Sequence, residues 1–422
     1  MAILYDKKSL LENKKFLAAA EEIYACDVEK SAERVESLVA EHIKSVNGET
    51  LIFSSPGRIE VCGNHTDHNN GKVLAAAVSV DLLAAVTPLK ERRIVVKSMG
   101  YPVVEVDIDD LEPKKEEEGT SYALVRGVCR ALKDRGYALG GFYATTVSDV
   151  FKGAGMSSSA SFEVFVAEVE NALYNGGVIS AVEKAIVSQY AENVFFGKPS
   201  GLMDQSAIAL GGVSYIDFID PAAPEVEKLN WEFDDTTVFV VNCGGDHCEL
   251  TPQYAAIRTE MEEVAALFGQ EKLRFVDAGE FYTSIPAIKD KVSGRALLRA
   301  MHYFEENDRV EALREAIREG DEDIAYALIV ASGESSYKKL QNCYAEGDHS
   351  EPIPLALALC ECYDGVRAFR VHGGGFAGTV LAFVDNDAKE EFNEYMGNIF
   401  GKENVYMLKI RNSGAVMLDL DE

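Results

Sequence analysis

The longest weakly polar segment of the sequence, residues 71–90, reads GKVLAAAVSVDLLAAVTPLK, and its interpretation decides which class of fold the chain can adopt. A membrane-spanning helix needs about 20 consecutive apolar residues. Here Asp81 interrupts the run between two halves rich in residues that favour β-strands. The segment is therefore predicted to be buried strand, and no membrane span is expected.

Other β-rich segments surround this one and predict an N-terminal sheet. They read LIFSS, GRIEVCG, RRIVVKSM and YPVVEVDI, and turn residues separate them. Residues 7–46 instead show helical spacing that breaks near residues 25–27 and ends at Gly48, which predicts two amphipathic helices. A helix over 121–136, a strand, a glycine-serine loop and two helical patterns reaching Phe196 complete an α/β first half.

The second half has a different order of elements, with a strand, several helices, two strands, a helix and a last strand. A length of 422 residues suggests two domains, and the change of pattern places the boundary near residues 220–224. We therefore expect one domain over residues 1–220, with residues 1–48 as its helical extension, and another over 221–422.

The charge balance restricts the partners that the protein can bind. Asp and Glu outnumber Lys and Arg by 70 to 41, and the formal net charge is -29, so broad binding to nucleic acid or to an anionic membrane is not expected. The eight cysteines are scattered, and charged residues break the apolar positions of the first 25 residues. This pattern favours a reduced, cytoplasmic protein without a disulfide framework or signal peptide.

A glycine-serine loop precedes an amphipathic helix in the segment KGAGMSSSASFEVFVAEVENAL. Helix N-termini attract phosphate through unpaired N–H groups, and glycine lets the backbone approach the ligand closely. The alternative is an ordinary serine cap after a flexible loop. Neither the lysine of a Walker loop nor the third glycine of a dinucleotide fingerprint is present, so a different kinase architecture is indicated. The loop residues are Gly153, Gly155, Ser157, Ser158 and Ser159.

Four ordered motifs together resemble those of the GHMP kinases. PGRIEVCGNHTDHNNG resembles the galactokinase signature of that family, KGAGMSSSAS its phosphate loop, AENVFFGKPSGLMDQ its catalytic segment and HGGGFAG its late glycine-rich motif. The resemblance runs from about Leu51 to the last residue and leaves the N-terminal helices outside. It implies an α+β fold with an N-terminal mixed-sheet α/β domain, a C-terminal ferredoxin-like domain and an active site in the cleft between them.

The resemblance also implies roles for individual residues. Asp204 would be the catalytic aspartate, and Arg58 would lie near the reacting hydroxyl and the transferred phosphate. Glu192, with a hydroxyl from Ser158 or Ser159, would bind Mg²⁺. The residues expected on the sugar are Asn64, His65, Asp67, Gly201 and Tyr254, and those expected on ATP are the five loop residues with Gly374 and Gly375.

Two simpler interpretations of the signature remain open. His65, Asp67 and His68 can belong to a hydrogen-bonded loop network without a ligand. The same three side chains can also be read as part of a zinc site, although no matching ligand set follows in the sequence. The alternative for Asp204 is a carboxylate that only stabilises a helix N-terminus.

Three positions depart from the galactokinase signature, because Glu60 replaces an asparagine, Asn64 a glutamate and His68 a tyrosine. In the family that glutamate contacts the hydroxyl at carbon six, so a neutral amide there can accommodate another sugar. The expected activity is an ATP-dependent sugar 1-kinase, with galactose as the leading substrate. Galacturonate, arabinose and an N-acetylhexosamine are alternative substrates. A catalytically silent sugar sensor is a further alternative, but the complete SSSAS sequence favours an enzyme. A kinase for a non-sugar substrate is another, but the His-Thr-Asp run resembles the sugar branch of the family.

Overall fold

The computed structural model describes residues 5–24, 28–150, 155–198, 200–244, 250–345, 347–376 and 378–420. It confirms the α+β fold class. The described helices are α1 (Lys7–Glu12), α2 (Lys14–Ile23), α3 (Val28–His42), α4 (Ser121–Asp134), α5 (Ser158–Tyr174), α6 (Ala181–Tyr190), α7 (Met203–Leu210), α8 (Thr251–Ala266), α9 (Ala278–Ile288), α10 (Gly294–Glu319), α11 (Glu322–Ser335), α12 (Pro352–Cys362) and α13 (Lys389–Phe400). The strands are β1 (Leu51–Cys62), β2 (Lys72–Leu89), β3 (Arg93–Ser98), β4 (Val104–Asp107), β5 (Gly141–Ser148), β6 (Val213–Asp217), β7 (Glu225–Leu229), β8 (Thr236–Asn242), β9 (Val366–His372), β10 (Thr379–Asp385), β11 (Val405–Leu408) and β12 (Val416–Leu418).

A mixed eight-stranded sheet forms the first layer, in the order β12-β1-β2-β5-β3-β4, with β6 on β2 and β7 on β6. β3 and β5 run parallel, while the other pairs in this sheet are antiparallel. β2 takes up most of the weakly polar segment, which confirms that this segment is strand. Within the described residues, no helix combines the length and the apolar character that crossing a membrane requires.

The second sheet is antiparallel and has the strand order β11-β8-β10-β9. Helices α8 to α12 connect β8 to β9, and α13 connects β10 to β11, so the predicted order of elements gives a ferredoxin-like arrangement. The domain boundary near residues 220–224 stays a prediction. β7 and β12 follow it in the sequence but pair within the first sheet.

The N-terminal segment forms three helices in its described part, where the spacing predicted two. Asn13 has an extended backbone conformation and separates α1 from α2, and its side chain accepts a hydrogen bond from the Phe16 N–H at 2.9 Å. A capping asparagine can end one helix and start the next without disturbing the apolar spacing, so the spacing alone did not show the break. The helices pack on the first sheet through Phe16, Leu38, Ile52 and Leu83.

Asp81 lies fully buried in β2, at a bulge where the pairing with β1 shifts. Its carboxylate accepts hydrogen bonds from Arg34 of α3 at 2.5 Å, from the Tyr24 hydroxyl at 3.1 Å and from the Ser54 hydroxyl. The fully buried Arg411 donates to the same Ser54 oxygen at 2.8 Å. Asp81 is therefore the anion that joins the N-terminal helices, the central strand and the C-terminal segment.

An apolar cluster joins the two sheets below the site described next. It combines residues from β1, β8, β10 and α11, all of which are buried. Representative members are Ile59, Val61, Val240, Leu381 and Ile329. The cluster also includes Ala368 of β9, so β1 and β9 contribute to one core. Packing therefore holds the ends of these two strands together in addition to their polar contacts.

Asp81→Ala should reduce the free energy of unfolding by about 3–5 kcal/mol, because it removes the anion that compensates Arg34 and Arg411 in the protein interior. Urea denaturation of the purified protein measures the loss. Asp109→Ala is the matched control, since Asp109 forms an exposed ion pair with Arg92 and should change stability little. Equal midpoints for the two variants would show that Asp81 does not stabilise this junction.

Candidate active site

An arginine-aspartate pair joins the first motif to the catalytic segment. Arg58 lies on β1 and Asp204 in the first turn of α7, with Arg58 Nε 2.7 Å from Asp204 Oδ1. The Ser157 hydroxyl donates to the other carboxylate oxygen, and Arg58 Nη1 donates to the Gly155 carbonyl. Burial opposes ionisation of Asp204, but the charge of Arg58 and the hydrogen bonds from Arg58 and Ser157 lower its pKa below the ordinary value. The carboxylate is thus ionised, and both of its oxygens are held in place.

The start of α5 has an unusual backbone conformation. Ser157 occupies the N-cap position with φ +59°, in the left-handed region, and its side chain makes no capping hydrogen bond. Such a conformation costs about 1–3 kcal/mol for a residue other than glycine. The hydroxyl is committed to Asp204 instead, so the simple serine-cap interpretation does not describe this loop. Gly155 also has positive φ, while Gly153 lies outside the described residues.

Glu192 lies in a π-helical turn after α6 and is 1% exposed. Its Oε1 accepts from the Ser159 hydroxyl at 3.0 Å and from the Lys198 ammonium at 2.9 Å. Its Oε2 accepts from the Ser200 hydroxyl at 2.7 Å and from the Gln205 amide at 2.9 Å. The carboxylate already holds a cationic group, and the nearby ligand atoms are oxygens of the kind that Mg²⁺ prefers.

The sequence predicted that Ser158 or Ser159 binds the metal together with Glu192. The hydroxyl that contacts Glu192 belongs to Ser159, and Ser158 is the first residue of α5. Both serine side chains are partly exposed. The residues present therefore fit a hard divalent cation beside the phosphate loop. The assignment of either serine to the metal stays a prediction.

Asp67 and Gly201 lie against each other, although they come from two separate motifs. A Cβ atom added to Gly201 would lie 3.3 Å from Asp67 Oδ2. Asp67 begins the 3₁₀ turn Asp67–Asn69, and its side chain is 22% exposed, so its carboxylate remains within reach of a ligand. This geometry is compatible with the predicted sugar contacts of both residues.

Three other residues predicted to face the sugar lie against the late glycine motif. Asn64 Nδ2 donates to the Gly373 carbonyl at 2.8 Å, and His65 Nε2 lies 3.0 Å from the Gly374 carbonyl. The Tyr254 hydroxyl donates to the Gly375 carbonyl at 2.7 Å. Glycine is required here because a Cβ on Gly374 would lie 2.6 Å from the Tyr254 ring, and one on Gly375 would lie 2.1 Å from the Asn342 carbonyl oxygen. We call residues 373–376 the glycine loop.

Asn64 is fully buried and is bonded on both sides of its amide. Its nitrogen donates to Glu60 Oε1 at 2.7 Å, and its oxygen accepts from Asn342 Nδ2 at 2.7 Å. Arg370 donates to the same Glu60 oxygen at 3.1 Å. Burial raises the pKa of Glu60 to about 7 against the opposing charge of Arg370. Two departures from the signature, Glu60 and Asn64, are therefore one hydrogen-bonded pair.

The zinc interpretation of the signature gains no support from the geometry. His65 Nε2 is turned to the Gly374 carbonyl, and His68 Nε2 lies 3.7 Å from Asp67 Oδ1. Over the described ranges, no group of three or more His, Cys, Asp or Glu side chains is placed to hold a metal ion. The three side chains instead belong to a network that includes the glycine loop.

Several polar residues of the site were not singled out by the sequence. Asn342 follows the π-helical turn Ser336–Leu340, and no motif marks it. Gln205 and Lys198 lie inside the catalytic segment, where Gln205 directly follows Asp204. Their position in that motif was the only sequence feature that could have indicated a role in the site. His372 directly precedes the three glycines and is the first residue of the motif HGGGFAG, but a histidine there gave no indication of its surroundings.

Family models match two parts of the chain. The galactokinase galactose-binding signature matches residues 40–88, and the N-terminal domain of GHMP kinases matches residues 123–212. The chain is 30% identical to the galactokinase of Streptococcus suis, over 82% of this chain and 88% of that protein. It is also 30% identical to the galactokinase of Pyrococcus furiosus, over 85% of this chain and 97% of that protein.

Solved structures share the fold. The galactokinase of Lactococcus lactis, complexed with galactose, superposes with a TM-score of 0.75 at 24% identity, over 90% of this chain and 99% of that chain. The mevalonate kinase of Methanococcus jannaschii superposes with a TM-score of 0.61 at 15% identity, over 87% of this chain and all of that chain.

Asn64→Glu alone should reduce the free energy of unfolding by about 3 kcal/mol, because it brings a second carboxyl group against buried Glu60. The exchange Glu60→Asn with Asn64→Glu keeps one acid and one amide in contact and should recover part of that loss. Urea denaturation of both single variants and the double variant gives the coupling energy, which we expect to exceed about 1 kcal/mol. Additive losses would show that the two side chains do not act as a pair.

Proposed function

The chain belongs to the galactokinase family of GHMP kinases, and from this premise we propose that it transfers the γ-phosphate of ATP to the anomeric hydroxyl of galactose. The observation that carries the proposal is the contact of Arg58 with both Asp204 and Gly155. That contact brings the sugar signature, the phosphate loop and the catalytic segment to one point. A phosphoryl donor and a hydroxyl acceptor can meet there.

The proposed mechanism relies on the ionised carboxylate of Asp204. Phosphoryl transfer requires an oriented hydroxyl, in-line geometry and neutralisation of the phosphate charge. Asp204 would accept the hydrogen bond, and finally the proton, of the reacting sugar hydroxyl. The guanidinium of Arg58 would hold Asp204 in orientation and stabilise negative charge on the transferred phosphate, because arginine offers several N–H donors in a fixed arrangement. Asp67 and Gly201 would contact other parts of the sugar.

The N-terminus of α5 is proposed to receive the phosphates of ATP. Its unpaired backbone N–H groups and the hydroxyls of Ser158 and Ser159 point to an anion site of this type. We propose that Glu192, with one of these serines, holds Mg²⁺ there. When bound, the ion would supply positive charge that neutralises the phosphate oxygens. Gly155, Ser157 and the glycine loop would complete the nucleotide side.

Galacturonate is the second candidate substrate, and one observation favours it. The neutral amide of Asn64 occupies the position where the family signature has a glutamate, and the nearest carboxyl group, Glu60, is paired with Arg370. A silent sugar sensor is disfavoured because Arg58, Asp204 and the three serines of the phosphate loop are all present. Arabinose and an N-acetylhexosamine remain in the substrate panel.

The proposed function is tested by measuring ADP release from purified protein with ATP and Mg²⁺. The panel consists of galactose, galacturonate, arabinose, N-acetylgalactosamine and glucose. We expect the highest kcat/KM with galactose. The product should be the sugar 1-phosphate, identified by NMR. If kcat/KM were higher with galacturonate, galacturonate would be assigned as the substrate instead of galactose. If no sugar gave ADP release, the proposal that the protein is an enzyme would be contradicted.

Asp204→Ala should lower kcat by about 10²–10⁴-fold, because general acid-base contributions have that size. Binding of a non-hydrolysable ATP analogue, measured by calorimetry, should be retained. Asp277→Ala is the matched control, since Asp277 caps α9 by accepting a hydrogen bond from the Glu280 N–H at 2.7 Å and has no proposed role in turnover. If Asp204→Ala turned over as fast as this control, Asp204 would not be the catalytic carboxylate.

Glu192→Ala should weaken binding of the ATP analogue at least about tenfold when Mg²⁺ is present, because a charge-assisted contact is lost. Without Mg²⁺ the variant and the parent protein should bind the analogue alike, and galactose affinity should be unchanged. Calorimetric titrations with and without Mg²⁺ measure each quantity. A loss confined to galactose would place Glu192 on the sugar side instead.

A further inference from the structure

His372 is a buried histidine beside the phosphate loop that the mechanism above does not use. It is the last residue of β9, directly before the glycine loop, and it pairs across the sheet with Thr379, the first residue of β10. Only 2% of its surface is exposed. The sheet pairing fixes its backbone, so the imidazole has a defined position.

The hydrogen bonds of His372 indicate which ring nitrogen carries the proton. Nδ1 lies 3.0 Å from the Thr379 hydroxyl oxygen, and that hydroxyl donates to the His372 carbonyl oxygen at 3.4 Å. The 3.0 Å contact fits either direction of donation. We assign the proton to Nδ1, because this tautomer leaves the single proton of the Thr379 hydroxyl for the His372 carbonyl, which can only accept. Nε2 then carries a lone pair. In the described part of the chain, Nε2 has no hydrogen-bond partner.

The ring is placed against the phosphate loop and the arginine-aspartate pair. A Cβ on Gly155 would lie 3.3 Å from both Cε1 and Nδ1 of His372, and the Gly155 carbonyl is the group that accepts from Arg58. Burial, followed by the charges of Arg58 and Arg370, lowers the pKa of His372 to about 3, although Asp204 acts in the opposite direction. The imidazole is therefore neutral at physiological pH and cannot serve as a proton store.

We infer that His372 Nε2 accepts a hydrogen bond from a hydroxyl group of the acceptor sugar, and that His372 is a further sugar-binding residue. A buried acceptor without a partner is costly, and a donor from the ligand removes that cost. Phosphate oxygens are acceptors and would meet the lone pair unfavourably, whereas every sugar hydroxyl is a donor. The inference rests on the proposed function, since it requires a polyhydroxylated acceptor beside Asp204.

The same geometry separates the task of His372 from that of Asp204. Asp204 is ionised and is fixed by Arg58 and Ser157, so it suits the hydroxyl that loses its proton. A neutral imidazole suits a hydroxyl that keeps its proton, because a neutral acceptor orients the group without competing for the charge. His372 would thus act on sugar affinity more than on kcat.

The test uses His372→Leu, which removes the acceptor, and His372→Gln, whose amide oxygen can replace it. Calorimetry without nucleotide should show a loss of galactose affinity of about tenfold for His372→Leu and a smaller loss for His372→Gln. Affinity for the ATP analogue should be unchanged. His42→Leu is the matched control, because His42 is equally buried and bonds Thr145 and Thr87 away from the site. That control accounts for the general effect of losing a buried imidazole and should bind galactose normally.

Sugar analogues that each lack one hydroxyl identify the bonded group. The series contains 2-, 3-, 4- and 6-deoxygalactose together with 1,5-anhydrogalactitol. The parent protein and His372→Leu should have equal affinity for one of these analogues, because that analogue lacks the hydroxyl that donates to Nε2. If His372→Leu lost the same factor in affinity, relative to the parent protein, for every analogue in the series, the effect would be structural only. If only the affinity for the ATP analogue fell, His372 would lie on the phosphate side. Either result overturns the inference.

The result for the parent protein separates this inference from the proposed function. If the parent protein binds and phosphorylates galactose while His372→Leu binds it with unchanged affinity, only the role of His372 fails. If the parent protein neither binds nor phosphorylates any sugar, the proposed function fails and the inference fails with it. Nitrogen NMR shifts of His372 give an independent check, since a proton on Nε2 instead of Nδ1 would also overturn the inference.

Discussion

The buried guanidinium of Arg370 links the second sheet to the first beside the site. Arg370 of β9 donates to the Val61 carbonyl and to the Glu60 carboxylate of β1, and also to the Ser332 hydroxyl of α11. It has no exposed surface, so each of these acceptors offsets part of the cost of burying its charge. Side chains alternate along a strand, so residues two positions apart point to the same face. Arg58 is two residues from Glu60 on β1, and His372 is two residues from Arg370 on β9, so both face the same region. The geometry of the site therefore depends on this contact.

The polar groups of many site residues are satisfied by hydrogen bonds within the chain. Asn64, His65 and Tyr254 contact carbonyl oxygens of the glycine loop. A sugar that bonds to these side chains has to exchange with those contacts, so the net gain from each new hydrogen bond is small. Asp67 keeps a partly exposed carboxylate and makes fewer such commitments. Sugar affinity should consequently come from a few uncommitted groups more than from the number of polar residues present.

The sequence predicted the strand across residues 71–90 and the element order from β8 to β11, because hydrophobic period and turn residues are local properties. It did not predict β7 or β12. It missed the helix break at Asn13, since a cap does not disturb the apolar spacing. The resemblance brought Arg58 and Asp204 to one site, but it did not show that Asn64 is buried. The orientation of that amide depends on Asn342, which lies 278 positions further along the chain. Side-chain pairing at such a separation leaves no local pattern.

The last strand of the chain completes the first sheet. β12 pairs with β1, and Arg411 reaches the Ser54 hydroxyl beside the central bulge. β1 and β12 are far apart in the sequence, so their pairing is a contact of high sequence separation and closing the loop between them costs entropy. The four strands of the second sheet are closer together in the sequence, so that sheet can form before this pairing. Until β12 pairs, β1 is an open edge of the first sheet, and that edge is where a partly folded chain would meet a chaperone or a second copy of itself.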